Sequence, residues 1–333
     1  MKRHVNIPIF IPEAACPNRC VYCNQFRITG SLHVPTIEEI HQTIETYLSS
    51  IDTEKTVVEI AFFGGNFTGL PLEEQIAYLE AVQPYFEKGI KGIRLSTRPD
   101  YINEEKVRLL KEYKVSEVEL GIQSSNQKVL ELCRRGYDVV EIEKAIDCLK
   151  QYEIQFGMQM MVGLPGGNVE NEMQTARDIH KWGAVSTRIY PLVPIEDTPL
   201  IEMIERNEYH PLSLNEAIQR TKPLMLFFEK HQIQILRMGL HSFDNIASTC
   251  EPFHPAFGQL VRSRVWADIF NSILHAEIKQ APSSIQIKVN NAEKVYAIGY
   301  QASNLKILKQ HFKKVYFIID NDLKGRNYHV DID

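Results

Sequence analysis

Strand-forming and helix-forming runs alternate along the chain from Ile7 to Leu192, and this alternation constrains the fold more than any other feature. The strand-like runs are Ile7–Ile11, Val57–Phe63, Gly92–Thr97, Val118–Ile122, Gln155–Val162 and Thr187–Leu192. Helix starts lie between them. Thr36-Ile37-Glu38-Glu39 and Asp138-Val139-Val140-Glu141 read as capping boxes. Pro71 stands where a first helical residue belongs, with Glu73 and Glu74 behind it on the positive end of the helix dipole. Asn103 and Asn168 open two more helices, and Gly183 closes the second. A strand that reaches the next through a helix returns parallel to it. Six such units are too few to close an eight-unit barrel. The expected class is therefore α/β: a partial (β/α)6 TIM-like barrel of parallel strands with an open side.

Beyond the sixth strand the pattern changes. Ser213-Leu214-Asn215-Glu216 caps a long helix running to about Gln232, and Ile233–Met238 reads as a further strand. Residues 241–284 read as a loop rich in His, Pro and Phe followed by a helix. Ile285–Val289, Val295–Tyr300, Ser303–His311 and Val315–Asp320 read as strand, strand, helix, strand. The expected organisation is a core barrel over residues 1–200, a helical extension and loop region over 201–284, and a small α+β appendage over 285–333.

Composition limits the partners. The chain has 333 residues, 44% hydrophobic and 24% charged, enough for a sizeable core. A net charge of −5 argues against a surface built throughout for polyanions. No apolar run approaches the length of a membrane span. Six cysteines are too few for a disulfide scaffold and suit a reducing cytoplasm.

Three of those cysteines cluster in Cys16-Pro17-Asn18-Arg19-Cys20-Val21-Tyr22-Cys23, a Cys-x3-Cys-x2-Cys spacing. Three thiolates on one tight loop can hold three irons of a [4Fe–4S] cubane. With no fourth cysteine nearby, one iron stays open, as in catalytic rather than structural metal sites. A zinc site wants a fourth ligand at comparable spacing, and His33 is too far along to fit a common zinc pattern. Ala14-Ala15-Cys16 mimics a lipoprotein signal, but Pro8, Pro12 and Glu13 interrupt the apolar run before it. Cys133, Cys148 and Cys250 are scattered and read as small buried hydrophobes.

In parallel barrels the chemistry sits at the C-terminal ends of the strands. Every unusual motif here falls there: the cysteine loop, Gly64-Gly65-Asn66, Ser96-Thr97-Arg98-Pro99-Asp100, Gln123-Ser124-Ser125, Gly163-Leu164-Pro165-Gly166 and Tyr190-Pro191. The Cys250 to Gly258 segment is dense in reactive and aromatic types. His254 or Cys250 there serves either a proton or radical step or a structured loop.

The Cys-x3-Cys-x-aromatic-Cys pattern resembles the signature of the radical S-adenosylmethionine enzymes. The resemblance implies that Cys16, Cys20 and Cys23 hold a [4Fe–4S] cluster whose open iron chelates S-adenosyl-L-methionine. Gly64 and Gly65 match the turn that receives the cofactor's ammonium, with Asn66 where relatives often carry Glu. Gln123 through Arg135 resembles the oxygen-independent coproporphyrinogen oxidases and the Elongator catalytic subunit, where the Arg engages the cofactor carboxylate; Arg134 leaves the register open by one. Gln159 stands where some relatives bind ribose, or serves the core instead. Tyr22, beside the third thiol, and Arg98, in the Thr97-Arg98-Pro99-Asp100 segment that is similar to the Elongator subunit, complete the implied cofactor set. Arg188-Ile189-Tyr190-Pro191, Asp197-Thr198-Pro199-Leu200, Glu208-Tyr209 and Leu236-Arg237-Met238-Gly239 follow that subunit's order. The stretch from Ile285 onward holds no credible acetyl-CoA phosphate loop, so the Elongator subunit's carboxymethyl-type tRNA chemistry does not simply carry over.

The implied function is reductive cleavage of S-adenosylmethionine to a 5′-deoxyadenosyl radical that takes hydrogen from an organic substrate. A low-potential donor such as flavodoxin or ferredoxin would supply the electron. The resemblance favours a tRNA base as substrate; the net charge and the missing acetyltransferase domain favour a small molecule or a peptide. The alternatives are a non-enzymatic iron–sulfur or zinc module for redox or metal sensing, and a nucleic-acid-binding protein using Lys306, Lys309, Lys313, Lys314, Lys324 and Arg326. The sequence names no catalytic side chain.

Overall fold

The computed structural model describes residues 3–11, 16, 20–24, 27, 33–240, 251–277 and 283–333. Alternating units build a single parallel sheet in chain order. They are β1 (Arg3–Ile11), α1 (Ile37–Leu48), β2 (Thr56–Gly64), α2 (Leu72–Val82), β3 (Ile90–Thr97), α3 (Glu104–Glu112), β4 (Val115–Gln123), α4 (Gln127–Leu132), α5 (Val139–Gln151), β5 (Gln155–Val162), α6 (Val169–Trp182) and β6 (Ser186–Pro191). Then α7 (Pro199–Glu205) and α8 (Leu214–Lys230) lead to β7 (Gln234–Met238). The strand order is β1 through β7, each parallel to its neighbour. The expected partial barrel is present. The strand read at Ile233–Met238 extends it by one, pairing with β6 through Arg188 and Arg237.

The helix starts follow the local chemistry. Thr36, Asp138 and Ser213 each form a capping box with the Glu three residues on. Asn103 and Asn168 cap α3 and α6 through their side chains, and Gly183 ends α6 with a left-handed φ of 87°. Pro71, expected as the first helical residue, is the N-cap of α2, and the helix starts one position later at Leu72.

The two faces of the sheet differ sharply. Ile7, Ile9, Val58, Ile60, Ile93, Leu95, Val118, Leu120, Met158, Met160 and Ile189 face the helices and form one buried cluster. Each fully buried aliphatic side chain there contributes about 1.5–3 kcal/mol. Many of the alternate positions, which face the barrel interior, are polar or charged. Arg94 reaches Glu59, Glu117 and Glu119; Arg188 bonds Glu119 and lies over the Phe63 ring; Ser186 donates to Glu117. Gly157 makes room among them, since a Cβ there would sit 2.1 Å from Ser186 Oγ.

The remaining residues form α9 (Phe257–Glu277), β8 (Ser284–Val289), α10 (Lys294–Ile298), α11 (Ser303–His311), β9 (Lys314–Ile319) and β10 (Tyr328–Ile332). The small sheet has the order β10-β8-β9, antiparallel on one side and parallel on the other. Two readings change here. Val295–Tyr300 is not a strand: Asn290 accepts the amides of Glu293 and Lys294 through its carbonyl and that of Ala292 through its side chain, which launches α10. Ala297, fully buried, then packs with Trp266 and Phe270 of α9. β-Branched and aromatic content loses to this tertiary contact. Tyr328–Ile332 is a strand that local composition did not announce, held by register against β8. Cys250 lies outside the described residues.

Candidate active site at the strand ends

The thiol loop follows β1 and is pinned by backbone hydrogen bonds. Val21 N donates to Cys133 O at 3.2 Å, Leu200 N to Val21 O at 2.8 Å, and Cys23 N to Cys20 O at 3.0 Å. Cys20 is buried; Cys16 and Cys23 are half-buried. Tyr22 is buried, and its phenol oxygen has no hydrogen-bond partner among the described residues. Burial pushes that phenol well above its ordinary pKa.

Beside the loop, Gly64 pairs with Ile11 in register, and Gly65 N donates to Ile11 O at 3.0 Å. Gly64 has φ 120°, and a Cβ on it would sit 2.1 Å from Ile11 O, so only glycine lets β1 and β2 end together. Asn66 is buried rather than presented to the mouth. Its Oδ1 accepts from Thr97 Oγ1 at 2.6 Å and from Arg98 N at 3.2 Å, tying the β2 end to the β3 end.

Arg98 is also turned inward. Nε and Nη2 bind Asp100 at 2.9 and 2.8 Å, Nη2 donates to Arg135 O at 2.6 Å, and the guanidinium lies 5.1 Å over the Tyr137 ring. Its Nη1 is buried without a partner among the described residues. Arg135 is 5% exposed, whereas Arg134 is exposed with a left-handed φ of 53°. Arg135 Nη2 donates to Gly121 O at 2.6 Å, Nε to Tyr137 OH at 3.0 Å, and Nη1 to Cys20 Sγ at 3.0 Å. The guanidinium thus faces the thiol loop with most of its donors committed to the chain's own groups. A bidentate grip on another carboxylate would displace one of them.

Gln123 ends β4 at φ 67° and is buried. Gln159 Nε2 donates to Gln123 Oε1 at 3.2 Å, and Gln159 is half-buried on the inner face of β5. His254 lies apart from this group: its Nδ1 accepts from Ala256 N, and its ring stands edge-on to Tyr300 at 5.2 Å.

The sequence reading missed Tyr137, which positions both arginines, and the charged interior beneath the site. A signal for the interior was available. On β4, Glu117 and Glu119 alternate with Val118 and Leu120, a period-two pattern that faces acids away from the helix-packed side.

Comparison with known proteins places this arrangement. The chain matches the Radical SAM superfamily over residues 11–179 and the Radical_SAM C-terminal domain over residues 185–267. An uncharacterized protein of Methanocaldococcus jannaschii is 33% identical over 215 residues, covering 63% of this chain and 63% of that protein. A tRNA uridine(34) acetyltransferase of the same organism is 34% identical over 183 residues, covering 49% of this chain and 34% of the enzyme. The chain therefore spans less than two thirds of either relative's length. The solved structure of Methanocaldococcus infernus Elp3 with an N-terminal deletion aligns over 81% of this chain and 64% of that one, at a TM-score of 0.61 and 22% identity, a likeness of fold. With three thiols on the loop after β1 and the first match spanning just over half the sequence, the chain belongs to the Radical SAM superfamily of enzymes.

Proposed function

We propose that the mouth of this half-barrel binds a [4Fe–4S] cluster through Cys16, Cys20 and Cys23 together with S-adenosyl-L-methionine. The observation that carries the reading is the thiol loop, pinned by backbone bonds at the C-terminal edge of a parallel half-barrel beside the Gly64-Gly65 turn. Three further features fit these groups. The donor set is sulfur, which suits iron. The Gly64-Gly65 turn holds the ends of β1 and β2 together beside the thiols, where a Cβ on Gly64 would strike Ile11 O. Tyr22 OH and Arg98 Nη1 are buried polar atoms without partners among the described residues, and such atoms are costly unless satisfied.

When bound, the two groups would supply a 5′-deoxyadenosyl radical for hydrogen abstraction. The chain's own residues bind, orient and exclude water. Arg135 sets a positive charge against Cys20. Asn66, Thr97 and Arg98 keep the ends of β2 and β3 in register. Gln123 and Gln159 offer amides that can donate and accept toward hydroxyl groups. A flavodoxin- or ferredoxin-type donor would supply electrons. The names of the curated relatives favour a tRNA nucleoside as substrate.

Anaerobic reconstitution with iron and sulfide tests the reading. The protein should bind about four irons and, with dithionite and S-adenosylmethionine, release 5′-deoxyadenosine. Cys16→Ala, Cys20→Ala and Cys23→Ala should each abolish both, and Cys148→Ala neither. Stoichiometric zinc without iron uptake would overturn it in favour of a binding module.

A further inference from the structure

Among the described residues, five arginines line the interior or the mouth of the half-barrel. Three are answered by carboxylates: Arg94 by Glu59, Glu117 and Glu119, Arg98 by Asp100, and Arg188 by Glu119. Arg135 is set against Cys20. Arg237 is the fifth, and among the described residues it has no carboxylate within ion-pair reach. Its Nε donates to Gly239 O at 2.8 Å and its Nη2 to Leu240 O at 3.0 Å. No hydrogen bond among the described residues uses its Nη1.

The placement of Arg237 follows from register. It pairs directly with Arg188, so both guanidinium groups rise from the same inner face on adjacent strands. The one carboxylate bonded to Arg188 among the described residues, Glu119, is shared with Arg94. Tyr190, two residues beyond Arg188, rises from the same inner face of β6. Burial pushes Arg237 below the ordinary arginine pKa, and the charge of Arg188 adds to that. A half-buried cation beside a second cation is stabilised by an anion, and the two backbone carbonyls supply only partial charge.

We propose that Arg237, with Arg188 and Tyr190 beside it, binds an anionic group of the substrate, a phosphate or a carboxylate, on the β7 side of the mouth. The proposal rests on the reading of that mouth as the active site. β7 lies three strands from β4, whose Gly121 carbonyl holds Arg135. At the usual strand spacing that is about 14 Å. The place is therefore separate from the one beside the thiols, and an anion there belongs to a second molecule. A guanidinium suits it because its planar fork matches phosphate and carboxylate oxygens.

The test uses the full chain as purified, without added iron or S-adenosylmethionine, so its failure is distinct from failure to cleave the cofactor. Inorganic phosphate and acetate are titrated separately by calorimetry, with chloride holding the ionic strength constant. Wild type should bind at least one of them. Arg237→Gln should weaken that binding about tenfold or more, the loss of a charged hydrogen bond. Arg237→Lys should retain part of it. Arg177→Gln, a half-exposed arginine paired with Glu170, should leave it unchanged. Tighter phosphate assigns a phosphate-bearing substrate, and tighter acetate a carboxylate. Should Arg237→Gln fail to fold, phenylglyoxal modification of wild type replaces it: the bound anion should slow labelling of Arg237 several-fold and leave exposed Arg134 unaffected. Absence of binding by either anion, wild-type affinity in Arg237→Gln, or unprotected Arg237 would overturn the proposal.

Discussion

Arg135 Nη1 lies 3.0 Å from Cys20 Sγ, although 115 residues separate the two in the chain. Gly121 O and Tyr137 OH fix the guanidinium from the other side. A positive donor at a ligating sulfur stabilises the more negative, reduced state of an iron–sulfur cluster. Arg135→Gln should therefore lower the midpoint potential of reconstituted protein. The shift is at most about 65–130 mV for one electron, if the full ~1.5–3 kcal/mol of a charged hydrogen bond is lost on reduction. Spectroelectrochemistry reads this directly, with Arg134→Gln as the control expected to show no change.

Asp100 is the counter-charge of Arg98, and both are largely buried. Asp100→Ala would leave a guanidinium in the interior without its carboxylate. The expected loss is about 3 kcal/mol, the cost of breaking a buried pair from one side. Urea unfolding should show a lower midpoint with an unchanged slope. A loss below about 0.5 kcal/mol would mean that the pair behaves like an exposed one.

Cys133 gives a prediction with a defined pH window. Burial pushes its thiol up to about 12. An unfolded cysteine ionises near 8.5. The folded chain thus retains a proton that the unfolded chain releases, and stability falls as pH rises from about 8.5 toward 12. The slope is about 1.4 kcal/mol per pH unit, or about 2 kcal/mol by pH 10. Cys133→Ala should remove that component, so its difference from wild type should shrink between pH 8 and 10. A constant difference across that range would show that Cys133 does not stay protonated.

The C-terminal unit is clasped through α8 and α9. Glu229 of α8 binds both Arg262 of α9 and Arg326 of the β9–β10 connection. Trp266 Nε1 donates to Glu293 at 2.9 Å, and Trp266, Phe270 and Ile273 share one buried cluster with Ile285, Ile287 and Val289. A chain ending before Ser284 would uncover that face of α9, and it should aggregate rather than persist as a barrel. Glu229→Gln, a milder change, should speed amide exchange in β8 and β9 more than in β4. Equal exchange in all three strands would separate the unit's docking from this clasp.

Sequence alone determined the alternating units, their helix caps and the strand-end location of the motifs. These are local properties: a Thr, Asp or Ser three residues before a Glu caps a helix wherever that helix packs. The thiol spacing is likewise local, because all three cysteines fall within eight residues, Cys16 to Cys23. Tertiary structure decided which inward groups meet. Asn66 turns onto Thr97 and Arg98, Arg135 reaches Cys20, and Arg237 stands beside Arg188 because parallel register sets side chains from distant segments opposite one another. It also made a helix of Val295–Ile298, where packing of Ala297 against α9 outweighed strand propensity, and a strand of Tyr328–Ile332, which gains its hydrogen bonds only from β8.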